Sequence, residues 1–435
     1  MGKSYRPYYP DEELLLPPSL RDWLPENHLA YFVGDVVDAL DLTAMDAVYG
    51  TEKRGQPPYD PLMMTKILVY GYCVGVFSSR RIERRLVEDI AFRVLAAGNQ
   101  PNFRTISDFR KIHLKTLEGL FEQVLKIALE AGAMKVGRVA VDGTKVKANA
   151  SKHKAMSYDR MKEKEAQLKA EVKDLLAQAA AADAQEDALY GKDHRGDELP
   201  EELQRRESRL KKIREAKKAV EARAKEKAAS EGADPKQARP KDKDQYNFTD
   251  PESRIMKGGD GFVQAYNAQA AVEADFQLIV GQTVTAAAND KEQLLPMLDQ
   301  VELQSGQRPS EVLADSGYCS EQNLEQMEMA NAGHQVNGYI ATSRQKHGEH
   351  RNPCPRGPLP KTATRVERMR RKLKTKAGKV IYAARKTIVE PVFGQIKQAR
   401  GFRQFLLRGI TKVRAEWSLV CLTHNILKLY RLCNE

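Results

Sequence analysis

Three acidic side chains stand apart from the other acids of this chain by their surroundings. Asp142 closes the apolar run of RVAVD (138–142) and is followed by Gly143 and Thr144. Asp315 closes EVLAD (311–315) and is followed by Ser316 and Gly317. A short apolar run reads as a buried strand, and a carboxylate at its end is held rigidly, as a metal site requires. One such aspartate commonly does no more than form a turn; two in the same context point to function. Glu390 is one of only two acids, with Glu367, between Lys361 and Arg414, where seventeen Lys/Arg accumulate. Its bland alternative is a salt bridge with Arg385, Lys386 or Lys397. Mg²⁺ is bound through a few carboxylates, water and substrate phosphate oxygens, so these three acids could hold it over a phosphodiester. The acids Asp250, Asp260 and Asp290 lie in polar stretches and read as loop residues.

The charge distribution favours a polyanionic partner. The 435 residues carry a net charge of +12. The segment 361–414 alone is +15, leaving −3 for the rest. A localised basic block is the footprint expected of a nucleic-acid binder. The five cysteines are scattered without a CxxC pair, which suits a reducing compartment. The N-terminal MGKSYRPYYPDEELLLPP has no signal-peptide core, and no run of about 18 apolar residues exists, so no transmembrane helix is expected.

The elements that must position the acids can be read from periodicity. A helix is expected over about 23–46, and another opened by Pro61 and apolar all round. Ser79 is placed to cap a helix bearing Arg80, Arg81, Arg84 and Arg85. After a turn at Asn99–Asn102, Thr105 and Asp108 suggest a capping box for one long helix, carrying Arg104 near its start and ending near Gly132. Paired helices with arginines at the start of one resemble a helix-turn-helix; the alternative is an ordinary hairpin with solvated charges. The stretch 158–230 is rich in Ala, Glu, Lys, Gln and Arg and predicts two long helices with a thin apolar stripe. Residues 231–246 read as a mobile linker. A strand hairpin (261–272 and 277–285), a helix at 291–301, the strand at 311–315 and a strand at 336–342 follow. A basic helix (364–374) precedes a helical region from Val380 to Tyr430, broken near Gly401 and Gly409. With the insert removed, this order gives a mixed sheet flanked by helices, an α/β architecture.

Here several motifs carry a resemblance. VAVDGTKVKANAS, LADSGY and IVEPVFGQIK resemble the three acidic motifs of DDE transposases from bacterial insertion sequences. The last is similar to the subgroup with a Tyr-Arg-Glu-Lys signature, at Tyr382, Arg385, Glu390 and Lys397. NFTDPESRIM, GFVQAYNAQAAV, PPYDPLMMTKILVYGY and RTISDFRKIH add to it, so that nearly the whole chain is covered. In that subgroup three residues separate arginine and glutamate. Arg385 and Glu390 enclose four, so Lys386 competes for the arginine's part. Relatives carry several cysteines before the glutamate; here only Cys354 remains, in HGEHRNPC, which reads as a plain loop rather than a zinc site.

The resemblance implies an RNase H-like mixed-sheet catalytic core, an N-terminal all-helical region and a long helical insertion. The boundaries expected are 1–135 for the DNA-binding helices, 136–400 for the core interrupted at 151–250, and 401–435 for a C-terminal helical region. It implies cutting and joining of element ends by Asp142, Asp315 and Glu390. These would ligate two Mg²⁺ ions, with Mn²⁺ able to substitute. Double-stranded DNA, both terminal inverted repeats and target, is the implied partner. A homo-oligomer is the expected active form, in the bacterial cytoplasm at the nucleoid. Arg385, Lys386, Lys397, Arg400 and Arg403 are expected to contact phosphates, and the N-terminal arginines to read the ends. The rivals are a catalytically retired DNA-binding descendant, a metal-dependent nuclease, and an oligomerising coiled coil built on 158–230.

Overall fold

A sheet built around one strand organises the part of the molecule that follows the N-terminal helices. The computed structural model describes residues 19–49, 57–190, 201–230, 232–258, 261–329, 336–343, 354, 357–360 and 362–434. Its strands are β1 (Arg138–Lys147), β2 (Ala155–Ser157), β3 (Gln245–Asn247), β4 (Arg254–Gly258), β5 (Gly261–Glu273), β6 (Ile279–Thr285), β7 (Glu311–Ala314) and β8 (Asn337–Ile340). The main sheet runs β5-β1-β7-β8, with β6 and β4 both paired to β5. β5 is antiparallel to β1 and β6 antiparallel to β5, whereas β7 is parallel to β1 and β8 parallel to β7. This mixed order, with helices packed on it, is an RNase H-like core. β4 was not foreseen from the sequence; its RIMKG carries too weak an alternation and is held by the long partner β5.

The hairpin joining β5 to β6 is fixed by long-range partners. The buried Glu273 carboxylate accepts the N–H groups of Asp275, Phe276 and Leu278. Gln277 sits at φ 60°, a conformation rarely adopted by a residue with a side chain. Its side-chain amide donates to the Thr387 carbonyl at 2.8 Å, and its own carbonyl meets His424 at 3.0 Å. The Thr387 carbonyl is available because Pro391, four residues on, has no N–H to offer.

The N-terminal helices are α1 (Leu29–Asp38), α2 (Thr43–Tyr49), α3 (Pro61–Cys73), α4 (Ser79–Glu88), α5 (Ile90–Leu95), α6 (Phe103–Ile112) and α7 (Leu114–Glu130). α3 starts as expected, with Pro61 in its first turn and Asp60 accepting from Leu62 and Met63, and it is buried almost all round. Three expectations need correction. The helix over 23–46 is two helices, with Asp41 accepting from Thr43 at the break. The long helix from 105 is two, α6 and α7, interrupted at His113. Asn102 caps α6, while Asp108 pairs with Lys111. Ser79 does not cap α4; its hydroxyl faces Arg110 instead.

The insertion is a helical hairpin, α8 (Tyr158–Tyr190) and α9 (Glu201–Ser230), rising from the paired strands β2 and β3. It has a small core of its own, with Met161, Leu168, Leu210, Ile213, Ala216 and Val220. Residues 232–244, read from the sequence as part of a linker, form hydrogen-bonded turns leading into β3. After β6 come α10 (Leu294–Ser305), α11 (Glu321–Met329), α12 (Arg365–Lys374), α13 (Lys376–Gly394) and α14 (Ile410–Asn434). α10 starts three residues later than expected. The stretches 50–56, 191–200 and 344–353, and with the last the histidines of HGEHRNPC, lie outside the described residues, as do residues 1–18 and Asp260.

One hydrophobic core spans the N-terminal helices and the sheet. α14 is its shared spine, packed against β6, α7 and α3. A buried polar network crosses the same junction. Glu416 accepts the N–H groups of Leu406 and Leu407 at 3.0 Å and the Tyr72 hydroxyl at 3.3 Å. Arg110 donates to that hydroxyl at 3.0 Å. Such a network is costly if broken on one side, because a buried charge is left unpaired.

His424 on α14 gives a test of this junction. It is 1% exposed, and burial pushes its pKa down to about 3. Between pH of about 3 and 6.5 the unfolded chain binds a proton that folded His424 refuses. Stability conferred by this group is therefore complete above the unfolded pKa and is lost as pH falls, by up to about 1.4 kcal/mol per pH unit. Urea unfolding at pH 7 and pH 5 should show a smaller loss for His424→Gln than for the wild type.

Candidate active site

The parallel pairing of β1 and β7 sets the site. Val141 is in register with Ala314. The next residues are Asp142 and Asp315, so two aspartates leave neighbouring parallel strands at one level, on strands about 4.8 Å apart. Asp142 does not end its strand as the sequence suggested. β1 continues through Gly143 to Lys147 because β5 pairs with it along that whole length. β7 does end there: Asp315 caps a short turn, its Oδ1 accepting from the Gly317 N–H at 2.8 Å.

Asp142 is mostly buried. Its Oδ1 accepts from the Gly143 N–H at 2.8 Å and its Oδ2 from Arg385 Nη1 at 3.0 Å. Burial pushes its pKa up to about 6; Arg385 and the Gly143 N–H oppose this, and the negative charge of Asp315 adds to it. Glu390, on α13, is exposed, and its Oε1 lies 3.6 Å from Arg385 Nη2. The arginine thus stands between Asp142 and Glu390, and α13 brings it there by packing on β1 and β5. Tyr382, one turn earlier, also contacts Arg385. The two candidates for the arginine's part face different ways on the helix: Arg385 is buried against Asp142, whereas Lys386 is exposed.

A residue that the sequence reading set aside belongs here. Asp290 is not a loop acid in solvent. Its carboxylate accepts from Asn267 Nδ2 at 2.6 Å, Gln269 Nε2 at 2.7 Å and Lys145 Nζ at 3.3 Å. Gln269 in turn accepts from the Tyr318 hydroxyl. Burial, followed by the charges of Asp290, Asp142 and Asp315, raises the Tyr318 pKa. The polar residues within the apolar strand β5 (YNAQAAV) were the available signal, because buried amides require partners. Asp250 is also buried, accepting from the Tyr266 hydroxyl at 2.8 Å, and serves the packing beneath β5.

Gly143 is required by this crowding. A Cβ there would lie 2.7 Å from Asp290 Oδ1 and 2.9 Å from Asn267 Oδ1, and would collide with Gln269. Gly143→Ala should cost about 1–3 kcal/mol, the usual penalty of overpacking, read as a lower urea midpoint.

The basic residues divide into two groups. Arg80, Arg81, Arg84, Arg85 and Arg104 are all exposed. Arg80 and Arg104 flank the Phe103 ring at 4.9 and 5.9 Å, which gathers the starts of α4 and α6 on one surface. Arg84 and Arg85 pair with Glu88 and Asp89. Near the acids, Lys397 is half-buried in a π-helical turn (Gln395–Ala399) after α13, and donates to the Lys145 carbonyl at 2.9 Å. Arg403 is exposed beside it. Arg400 must be corrected: it is 7% exposed, and donates to Thr423 Oγ1 at 2.7 Å and to the Val420 carbonyl at 3.1 Å. It braces α14 and presents no guanidinium to DNA.

The donor atoms are all carboxylate oxygens, which suit a hard cation such as Mg²⁺ or Mn²⁺. A desolvated Asp142 beside Asp315, with one arginine as the compensating charge, fits such an ion. As the side chains stand, however, no group of three or more His, Cys, Asp or Glu among the described residues is arranged to hold a metal. No described helix is long and apolar enough to cross a membrane.

The strand order and the paired aspartates define an RNase H-like α/β protein. Residues 18–112 match the family model described as transposase domain (DUF772), and residues 223–426 match the one described as transposase DDE domain. Together these matches support a DDE transposase, a DNA-binding enzyme class of mobile elements. Asp315 and Glu390 lie within the second match, while β1 and Asp142 fall between the two. No curated protein and no solved structure gives a significant match.

Proposed function

We propose that this chain cuts and joins the ends of an insertion sequence, with Asp142, Asp315 and Glu390 as the carboxylates that hold two divalent cations. When bound, Mg²⁺ or Mn²⁺ would lower the pKa of an attacking water or 3′-hydroxyl and stabilise the leaving oxygen. The observation that carries the reading is the shared register of Asp142 and Asp315 in parallel strands, with Glu390 reached through Arg385. Arg385 neutralises the buried Asp142. On engagement of DNA its guanidinium is well suited to turn to a phosphate, for which its fork geometry is matched, and Glu390 then completes the acidic set. Lys397 and Arg403, beside β1, position the backbone of the cleaved strand. The exposed arginines of α4 and α6 read the terminal repeats as a helix-turn-helix, and the active form is a homo-oligomer. The likeness of Tyr382, Arg385, Glu390 and Lys397 to the Tyr-Arg-Glu-Lys signature supports assigning it to that subgroup.

The test is to incubate the purified protein with its flanking genomic DNA and Mg²⁺ and to map the cut positions. Cuts at the element ends followed by joining to target DNA are expected. Cutting without joining would favour a nuclease, and end-binding without cutting a retired descendant.

A further inference from the structure

We infer that the base of the helical insertion is a second DNA site, a groove that grips the phosphate backbone of duplex DNA flanking the cut. This rests on the reading of DNA as the substrate. The groove, about 680 Å³, lies between the first turns of α8, the middle of α9 and the segment that follows β1. Its cations are Lys154, Arg160, Lys164, Arg209 and Lys212, beside His153; its one acid is Glu163.

Among the described residues, many charges of the insertion are paired, while the cations of the groove have no acid partner. Glu165 gathers Lys169 at 2.7 Å, Lys217 at 3.0 Å and Arg214 at 3.5 Å. Lys162 is held by Asp159 and Asp242, and Arg206 by Glu171. In the groove, Lys154, Arg160, Arg209 and Lys212 make no ion pair with a described acid, and Lys164 bonds only the neutral Gln167. Arg160 and Lys164 are four residues apart on α8, and Arg209 and Lys212 three apart on α9, so each pair repels on one helix face. Such an arrangement is relieved by a polyanion. Phe248, an exposed aromatic at 37%, lines the groove, where it can pack on a deoxyribose.

Chain length ties the groove to the cut site. Residue 153 is eleven residues from Asp142, a reach of at most about 40 Å. At about 3.4 Å per base pair, the groove meets DNA within about 12 base pairs of the scissile bond. The contacts are to phosphates and carry no sequence preference.

The experiment measures binding of a labelled 30-base-pair duplex of arbitrary sequence by fluorescence anisotropy between about 50 and 200 mM KCl. The full-length wild type is compared with Arg160→Gln/Lys164→Gln, with Arg209→Gln/Lys212→Gln, and with all four changes together. Glutamine is close to Lys and Arg in helix propensity, and circular dichroism checks the fold. Each lost phosphate contact should reduce the slope of log K against log salt by about 0.9, so the fourfold variant should lose about 3–4 in slope and each double variant about half of that. Slopes and affinities equal to wild type in all three variants would overturn the inference. A wild type that binds no DNA would instead overturn the functional reading.

Discussion

Asp142→Ala should abolish Mg²⁺-dependent DNA cleavage while leaving end-binding and the fold intact. Bound metals supply several kcal/mol of transition-state stabilisation. At 1.36 kcal/mol per tenfold change, loss of the carboxylate proposed as their central ligand should slow cleavage by roughly 10³-fold or more. The same outcome is expected for Asp315→Ala and Glu390→Ala. Stability should change little at Asp142. Its carboxylate is desolvated and its pKa pushed up to about 6, so at neutral pH its charge costs free energy. Its removal relieves that cost, but also deprives the buried Arg385 of its 3.0 Å partner. Arg385 retains Glu390 at 3.6 Å, which limits the penalty. The measurement is a gel assay of cleavage at element ends, alongside anisotropy with the same DNA. Full cleavage by the Asp142→Ala protein would remove this residue from the mechanism.

Asp290→Asn should weaken divalent-cation binding by about 10–100-fold, the usual effect of removing a group that orients metal ligands. The substitution keeps the shape but sets an amide N–H₂ against donors. Asn267, Gln269 and Lys145 all point N–H groups at this carboxylate. Gln269 would lose the orientation in which it receives Tyr318, and Tyr318 closes the turn that begins at Asp315. Mn²⁺ titration followed by electron paramagnetic resonance reads affinity without turnover. A variant that binds Mn²⁺ like the wild type would show that Asp290 only supports packing.

The sequence determined the local elements and singled out the three acids proposed as metal ligands. Short apolar runs followed by aspartate, the Pro61 helix start, the hairpin in 261–285 and the alanine- and charge-rich helices of the insertion are all encoded by neighbours a few residues apart. Such signals survive in one dimension because propensity, capping and periodicity act locally. What only the tertiary structure decided depends on residues far apart in the chain. The register of Val141 with Ala314 sets the two aspartates side by side, across 173 residues of sequence. Arg385 and Lys386 are adjacent in sequence, and only the packing of α13 on β1 selects the arginine for Asp142. Arg400 sits in a basic run that reads as surface, yet three acceptors from α14 and α3 take its guanidinium into the core. Asp290 reads as a loop acid because its partners lie on β1 and β5, more than twenty residues away. A polar group in a polar stretch has no local signature of burial; its role is fixed by whichever donors the fold folds back onto it.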